Sequence, residues 1–586
     1  MPTPPLARPA ISSGSQLAML LACTVAPLLA FNLTPSATLF NQLAALAGWG
    51  LVLICIGMEG APRWRLTPAA ASLALLALAP WASHLWGGLP ASLALANSGM
   101  LLAALALLLA GQGLARDQRH QWVEALCWGL LLAGVLSLLV SLVQVFMPGW
   151  ADGNLIARSG IAGRAVGNMR QPNHLASLLM WACVAAVYLA DRGRFKALGG
   201  ALVLPLLLFG LVFAVVLSAS RTGVIGVLIL ACWGALDRKL GRASKLALMA
   251  APLLLALSWV LLAAWATLGA HALGAESRLA EGAGSPSRLA IIANAWALLK
   301  ANPWTGLGWG EFNLAWTMTP FPDRPIAFFD HTHNIVMQLA VELGLPLSLL
   351  ILGLLTYSLW RAFALSRAAN GVGADVGNDV GDAVARRCAF MLVLMIGLHS
   401  LLEYPLWYAY LLLPTAFAFG LALGSDKDEG ASSGTQGWAL AGALMLAASA
   451  FTAWNYLQVV DIYAPSANAQ PLLQRIAKGQ ASTLFSTQAN YAAATSLPPG
   501  PAALAAAQST AHNLIDARLL VAWAKSLQAS GDVDKARYVV QRLREFRNPA
   551  GDDWLAECEQ MPEAGAVKPF QCEPPLRDYS WRELRD

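Results

Sequence analysis

Thirteen stretches of the sequence are nearly uninterrupted apolar runs, at about 16–33, 38–58, 67–86, 92–114, 122–147, 173–190, 197–217, 221–236, 246–268, 335–360, 387–403, 406–424 and 437–458. Many exceed the roughly 18 residues that mark a membrane-crossing helix. Inside a bilayer every backbone N–H and C=O must be satisfied within the protein, so runs of this kind can only be helices. The expected fold is therefore all-α, a polytopic transmembrane helical bundle of about 12–13 spans. A transmembrane β-barrel would show alternating rather than continuous hydrophobicity. The composition agrees: 57% of the 586 residues are hydrophobic and only 12% are charged, about half the usual globular share of roughly 25%. That excludes a disordered chain. The net charge of +5 sits in short clusters between apolar runs, so nucleic acid is not an expected partner.

Those clusters give an orientation. Arg63 and Arg65, Arg116 and Arg119, Arg192, Arg194 and Lys196, Arg238, Lys239, Arg242 and Lys245, Arg361, Arg367, Arg386 and Arg387, and Lys427 all fall in loops after even-numbered runs. By the positive-inside rule these loops are cytoplasmic. The expected order is a cytoplasmic tail 1–15, an uncleaved first helix, a membrane core 16–458, and a periplasmic C-terminal domain 459–586. The loops 148–172 and 269–334 then also face the periplasm. The tail carries 27 of the chain's 71 charged residues and reads as soluble. Within it Asp516–Arg547 reads as a helical hairpin turning at Ser530-Gly531-Asp532, with Trp523, Gly531 and Ala536 spaced as in a tetratricopeptide unit. Six cysteines lie in or beside apolar runs and read as small core residues. Cys558 and Cys572 fall in the tail, and in an oxidising compartment they are expected to pair as a disulfide. Ala368–Ala385 and Gly424–Gly437 read as cytoplasmic linkers, the latter with the solvated turn Asp426-Lys427-Asp428.

The residues that could carry chemistry cluster at one face. Asp330-His331-Thr332-His333-Asn334 ends the long loop 269–334, and a histidine at a membrane boundary can serve as a general base. A zinc site would need further ligands that spacing does not supply, so no metal is expected. The loop 148–172 breaks the charge rule with Arg158, Arg164 and Arg170, and binding an anion or anchoring lipid headgroups would explain it. Arg164 and Arg170 precede Pro172-Asn173-His174 at a helix entry, where a guanidinium offers phosphate oxygens a planar fork. Arg221 lies in Ser218-Ala219-Ser220-Arg221-Thr222-Gly223, where one apolar run turns into the next, and it suits either a phosphate or snorkelling to headgroups. Arg288 follows Ser285-Pro286-Ser287, a capping pattern for a loop helix that Pro303 ends. Gly306-Leu307-Gly308-Trp309-Gly310 lacks the strand–turn–helix context of a nucleotide loop and reads as a tight loop nearing the membrane. His399 to Tyr408, with Glu403 and Tyr404, places ionisable groups in or beside the membrane, where they are functional candidates or helix–helix clamps.

At these residues the chain resembles the bacterial O-antigen ligase, O-antigen polymerase and O-oligosaccharyltransferase superfamily, over roughly residues 20–425. The best-matched motif is His333-Asn334, nine residues, then Gly344, within His333–Pro346. Arg170 in Gly-Asn-x-x-x-Pro-Asn-His, Arg221 in Ser-Arg-Thr-Gly and Arg288 before Asn302-Pro303-Trp304-Thr305-Gly306 also match. The ligase pattern favours Gly, Thr or Tyr three residues after its glycine, and here Leu347 stands there. The stretch His399–Tyr408 and the soluble tail are similar to the protein-glycosylating, pilin-type branch. The resemblance implies an inner-membrane glycosyltransferase without cofactor or metal, its site facing the periplasm. It would move an oligosaccharide from undecaprenyl pyrophosphate to Ser or Thr hydroxyls of a pilin or other periplasmic protein. His333 would be the base, with Arg221 and Arg288 in the catalytic group. Arg170, Arg164, Asn173, His331, Asn334, Glu403 and Tyr404 would bind substrate, and Asp330 or Glu342 would orient His333. A ligase to lipid A core or an O-antigen polymerase would share this core with another acceptor. A transporter should show internal repeats and mid-membrane charges, which the sequence lacks.

Overall fold

A computed structural model describes the chain except residues 1–10, 61, 199, 273, 275–285, 323, 368–375, 425–430, 433, 560–567 and 586. The expected turn Asp426-Lys427-Asp428 and the proposed cap Ser285 lie outside the described residues. The protein is all-α and multi-pass. Each apolar run forms a helix: α1 (Ser13–Leu28), α2 (Leu39–Glu59), α3 (Pro68–Gly87), α4 (Ala91–Gly113), α5 (Arg116–Phe146), α6 (Pro172–Asp191), α7 (Val203–Ser218), α8 (Arg221–Leu236), α10 (Ala251–Gly269) after a short α9 (Arg242–Met249), α13 (Ile335–Arg367), α14 (Val376–Ser400), α15 (Ala409–Leu423) and α16 (Gly434–Tyr463). Among the described residues nine helices are long and apolar enough to cross a membrane, and α1, α7, α8 and α15 are shorter apolar helices. A two-residue antiparallel bridge pairs Arg63–Trp64 with Ala431–Ser432.

The chain forms two compact units. The first comprises Met1–Ala74, Leu102–Ala283 and Leu354–Phe451. Here α5 and α6 pack together, with α1, α7 and α14 against them. Small residues allow such close approach between membrane helices: a Cβ on Gly420 would lie 2.3 Å from the Leu108 carbonyl oxygen, so α15 and α4 meet backbone to backbone. The stretch 376–385, expected as part of a linker, is helical instead. Asp382 explains it: one carboxylate oxygen takes Nη1 of the buried Arg119 at 2.7 Å and the other takes Nε of Arg386, one turn on, at 2.7 Å. An acid with two buried cations is a helix-forming reason that linker-like composition hides.

The second unit comprises Leu75–Leu101, Gly284–Gly353 and Thr452–Asp586. It holds the loop helices α11 (Pro286–Ala301) and α12 (Phe312–Met318), the first part of α13, and the tail helices α17 (Leu472–Gln480), α18 (Ser486–Ser496), α19 (Pro501–Thr510), α20 (Ala517–Ala529), α21 (Val533–Glu545), α22 (Pro549–Leu555) and α23 (Trp581–Arg585). The hairpin expected at Asp516–Arg547 is α20–α21, capped where Asp516 accepts from the Leu519 amide and turning at Gly531 with φ +92°. A second hairpin, α18–α19, precedes it. Its buried face is Ala489, Ala492, Ala493, Ala503, Ala506 and Ala507, too small a set of side chains to stand out as an apolar period. Cys558 and Cys572 form a disulfide with Cα atoms 5.2 Å apart.

One break in this unit sets everything near it. Helix α13 is interrupted at Gly344, where φ is +74° and ψ 169°, a region open essentially only to glycine. The loop 303–308 closes on the break. Leu307 and Gly308 amides donate to the Val341 and Glu342 carbonyls at 2.9 and 3.0 Å, and the Leu345 amide donates to the Pro303 carbonyl at 2.8 Å. A Cβ on Gly306 would meet the Glu342 carbonyl oxygen at 2.4 Å, and one on Gly344 would meet that of Trp304 at 2.4 Å. The glycine-rich run is thus a clasp that satisfies the carbonyls a broken helix leaves exposed. Gly344→Ala should therefore lower stability by about 1–3 kcal/mol. A thermal unfolding curve in detergent that matches the wild type would refute the clasp.

Candidate active site

Each unit holds its own group of candidate residues. In the first, the N-terminus of α6 and the turn from α7 to α8 are tied by side chains. Asn173 donates from Nδ2 to Glu403 Oε1 at 3.1 Å and accepts from Ser220 Oγ at 2.7 Å. Ser220 in turn caps α8 by accepting from the Gly223 amide at 3.2 Å. Ala219, just before it, sits in the left-handed region at φ +51°. Arg221 is thereby the first residue of a fixed helix start. Tyr404 is half-buried, its ring 6.0 Å from that of Tyr408, which in turn lies 4.4 Å from His174.

The loop 148–172 is threaded onto this frame by buried amides. Gln144 Oε1 accepts from the Val166 and Gly167 amides, and Asn168 Nδ2 donates to the Leu28 and Leu155 carbonyls. Arg164, buried, donates from Nε to the Ser218 carbonyl at 2.9 Å. Arg170, at φ +55°, donates from Nη2 to the Ala30 carbonyl at 2.6 Å and from Nη1 to that of Ala37 at 3.2 Å. Burial pulls the Arg170 guanidinium below its usual pKa. Both arginines therefore spend donors on backbone carbonyls, a use that loop composition could not foretell.

In the second unit the loop Asp330–Asn334 is built around His333, which also adopts a left-handed backbone at φ +57°. Asn334 starts α13 by accepting from the Met337 amide at 3.0 Å. The Thr332 amide donates to Gln338 Oε1 at 2.7 Å, and Gln338 Nε2 donates to Glu342 at 2.9 Å. Glu342 also accepts from the Gly310 and Phe312 amides. Asp330 hydrogen-bonds the ring of His331, which lies 4.1 Å from that of His333, centroid to centroid. So Asp330 acts on His331 and Glu342 acts through Gln338, a residue the sequence reading did not single out. Burial, then the charges of His331 and Arg288, push the His333 pKa from 6.5 down to about 3. His333 is accordingly neutral at pH 7, the form able to accept a proton.

Residues 206–352, which hold Arg221, Arg288, His333 and Gly344, match the O-antigen ligase family. The chain resembles the O-antigen ligase and O-oligosaccharyltransferase superfamily. Residues 165–190, with Arg170 and Asn173, match the protein glycosylation ligase family, and residues 388–551 match the C-terminal family of virulence factor membrane-bound polymerases. No curated protein matches the chain.

The last of these matches takes in Glu403 and most of the tail, and within the second unit the tail reaches the histidine loop. Arg324 lies over the rings of Trp316 and Phe546 at 4.8 Å each and pairs with Glu545 at 2.8 Å. Phe328 stacks on Phe546 at 4.0 Å, and Phe329 meets both Trp316 and His333. Tyr538 donates to the Met318 carbonyl at 2.7 Å, and His512 and Glu311 hydrogen-bond at 2.6 Å. Burial pulls the Arg324 pKa down to about 10, still charged at neutral pH. Arg324→Met should leave Glu545 without this partner and cost about 1–3 kcal/mol. Hydrogen exchange in residues 326–334 should quicken, and unchanged exchange there would refute the link from tail to histidine loop.

Proposed function

We propose that the protein is an inner-membrane oligosaccharyltransferase working at the periplasmic face. The donor is an oligosaccharide on undecaprenyl pyrophosphate, and the acceptor is a Ser or Thr hydroxyl of a pilin or other periplasmic protein. The observation that carries this reading is a neutral His333, held in a built loop beside the Arg288 charge, inside the segment that matches the O-antigen ligase family. In the proposed reaction the acceptor oxygen attacks the anomeric carbon as its proton passes to His333. The bond from that carbon to the pyrophosphate breaks, and the centre inverts. An approaching pyrophosphate raises the proton affinity of His333 by Coulomb attraction, so the imidazole becomes a better base when the donor is bound.

Arg221 and Arg288 stabilise the negative charge that grows on the leaving group. Arg164 and Arg170 border the donor site while holding its loop, Asn173 and Glu403 fix the helix start that carries Arg221, and His331, Asn334 and Tyr404 complete the substrate surface. The matches to O-antigen ligase and membrane-bound polymerase families favour one second reading, in which the same core delivers the glycan to lipid A core or to a growing polymer. Product analysis of the purified protein with all three acceptor types separates the two.

His333→Ala should lower transfer in proteoliposomes by about 10²–10⁴-fold, and wild-type turnover would end this mechanism. Arg221→Lys and Arg288→Lys keep charge but lose the fork, and each should cost about 10²-fold in kcat. The pH profile carries a further prediction. The free-enzyme pKa of His333 lies below its ordinary value, so its base form persists as pH falls and is lost only towards about 3. The kcat/KM should show no acid limb from His333 between pH 7 and about 5. A limb near 6.5 that disappears in His333→Ala would contradict it.

A further inference from the structure

Among the described residues, the loop helix α11 has an apolar side that stands largely exposed. Its 16 residues, Pro286–Ala301, carry only two charges, Arg288 in the first turn and Lys300 in the last. Leu289 is 74% exposed and Trp296 49%, and Trp304, just past the helix, is 77% exposed. Leu289, Ala293, Trp296 and Lys300 recur at helical spacing along one side. The opposite side, Ile291, Ala295, Leu298 and Leu299, is buried. A helix apolar on both sides does not suit water. At about 1.5 Å per residue it is also too short to cross a hydrocarbon core of about 30 Å.

The clasp says what that face meets. The Leu345 amide donates to the Pro303 carbonyl, and the Trp304 carbonyl sits against Gly344. Trp304 is therefore held beside the tenth residue of α13, a helix apolar enough to cross a membrane. From that level α13 exposes Leu345, Leu349 and Leu350, the surface of a lipid-facing span. At the end of α3, in the same unit, Trp86 is 85% exposed. Exposed tryptophans beside span ends are the signature of a membrane–water interface.

We propose that α11 is an interfacial helix. Its Leu289 and Trp296 side, with Trp304 just past the helix end, enters the headgroup–acyl boundary of the outer leaflet, and Lys300 on the same side reaches to the phosphates. The partner is the phospholipid surface itself. Resting on the function proposed above, this would hold Arg288 at the depth where the phosphates of a lipid-linked pyrophosphate lie, so the membrane becomes part of the donor site.

The test is photo-crosslinking of the full chain in phosphatidylethanolamine–phosphatidylglycerol vesicles, with p-benzoylphenylalanine replacing Leu289, Trp296 or Trp304 in turn. These positions are exposed, and Gln541 on the tail helix α21 is the control. Mass spectrometry should find phospholipid adducts at the three sites about tenfold or more above Gln541. Cross-links to a second copy or to an acceptor protein in place of lipid, or adducts no more frequent than at Gln541, would overturn the proposal. The readout does not involve glycan transfer, so this inference and the proposed reaction fail separately.

Discussion

The break in α13 at Gly344 is the constraint on which the second unit depends. A membrane helix that stops at its tenth residue leaves carbonyls without intrahelical donors, and in a low-dielectric setting each is expensive to leave bare. The protein satisfies them with the amides of Leu307 and Gly308, and the exchange works only because both Gly306 and Gly344 lack a side chain. That one contact draws the end of α11 and the glycine-rich turn to the part of α13 that follows the histidine loop. Glu342 then secures the next stretch through the Gly310 and Phe312 amides and, via Gln338, the Thr332 amide beside His333.

A different economy governs the first unit. Its loop 148–172 is irregular, and irregular backbone near a bilayer survives only where its polar groups find partners in the protein. Gln144, Asn168, Arg164 and Arg170 are those partners. Arginines that break the positive-inside pattern are thus explained partly by the carbonyls they hold, before any substrate arrives. The Glu403–Asn173–Ser220 chain does for Arg221 what Gln338 does for His333: it turns a side chain at a helix end into a fixed point.

The tail shows where pattern reading stops. Asp516, Trp523 and Gly531 announced the α20–α21 hairpin because a cap, a large core residue and a turn glycine are local signals. The α18–α19 hairpin packs on alanines, which give almost no periodic contrast. Arg324, between Trp316 and Phe546, carries no local signal, since these ring partners stand eight and more than two hundred residues away. The helical start of α14 was hidden for the same reason, because Asp382 finds Arg119 across a separation of more than two hundred and fifty residues.

By itself the sequence determined the class of the protein and the positions of its spans, because hydrocarbon admits only backbones that bond within each segment, and thirteen apolar runs leave no other reading. It also singled out candidates for chemistry, since histidine and arginine beside apolar runs are costly without a use. What the tertiary structure alone decided is what those residues are tied to. Whether an arginine faces a carbonyl, whether a histidine stays neutral beside a cation, and whether Gly306 and Gly344 meet across 38 residues all depend on long-range contacts. Such contacts are set by packing and desolvation, and no local pattern encodes them.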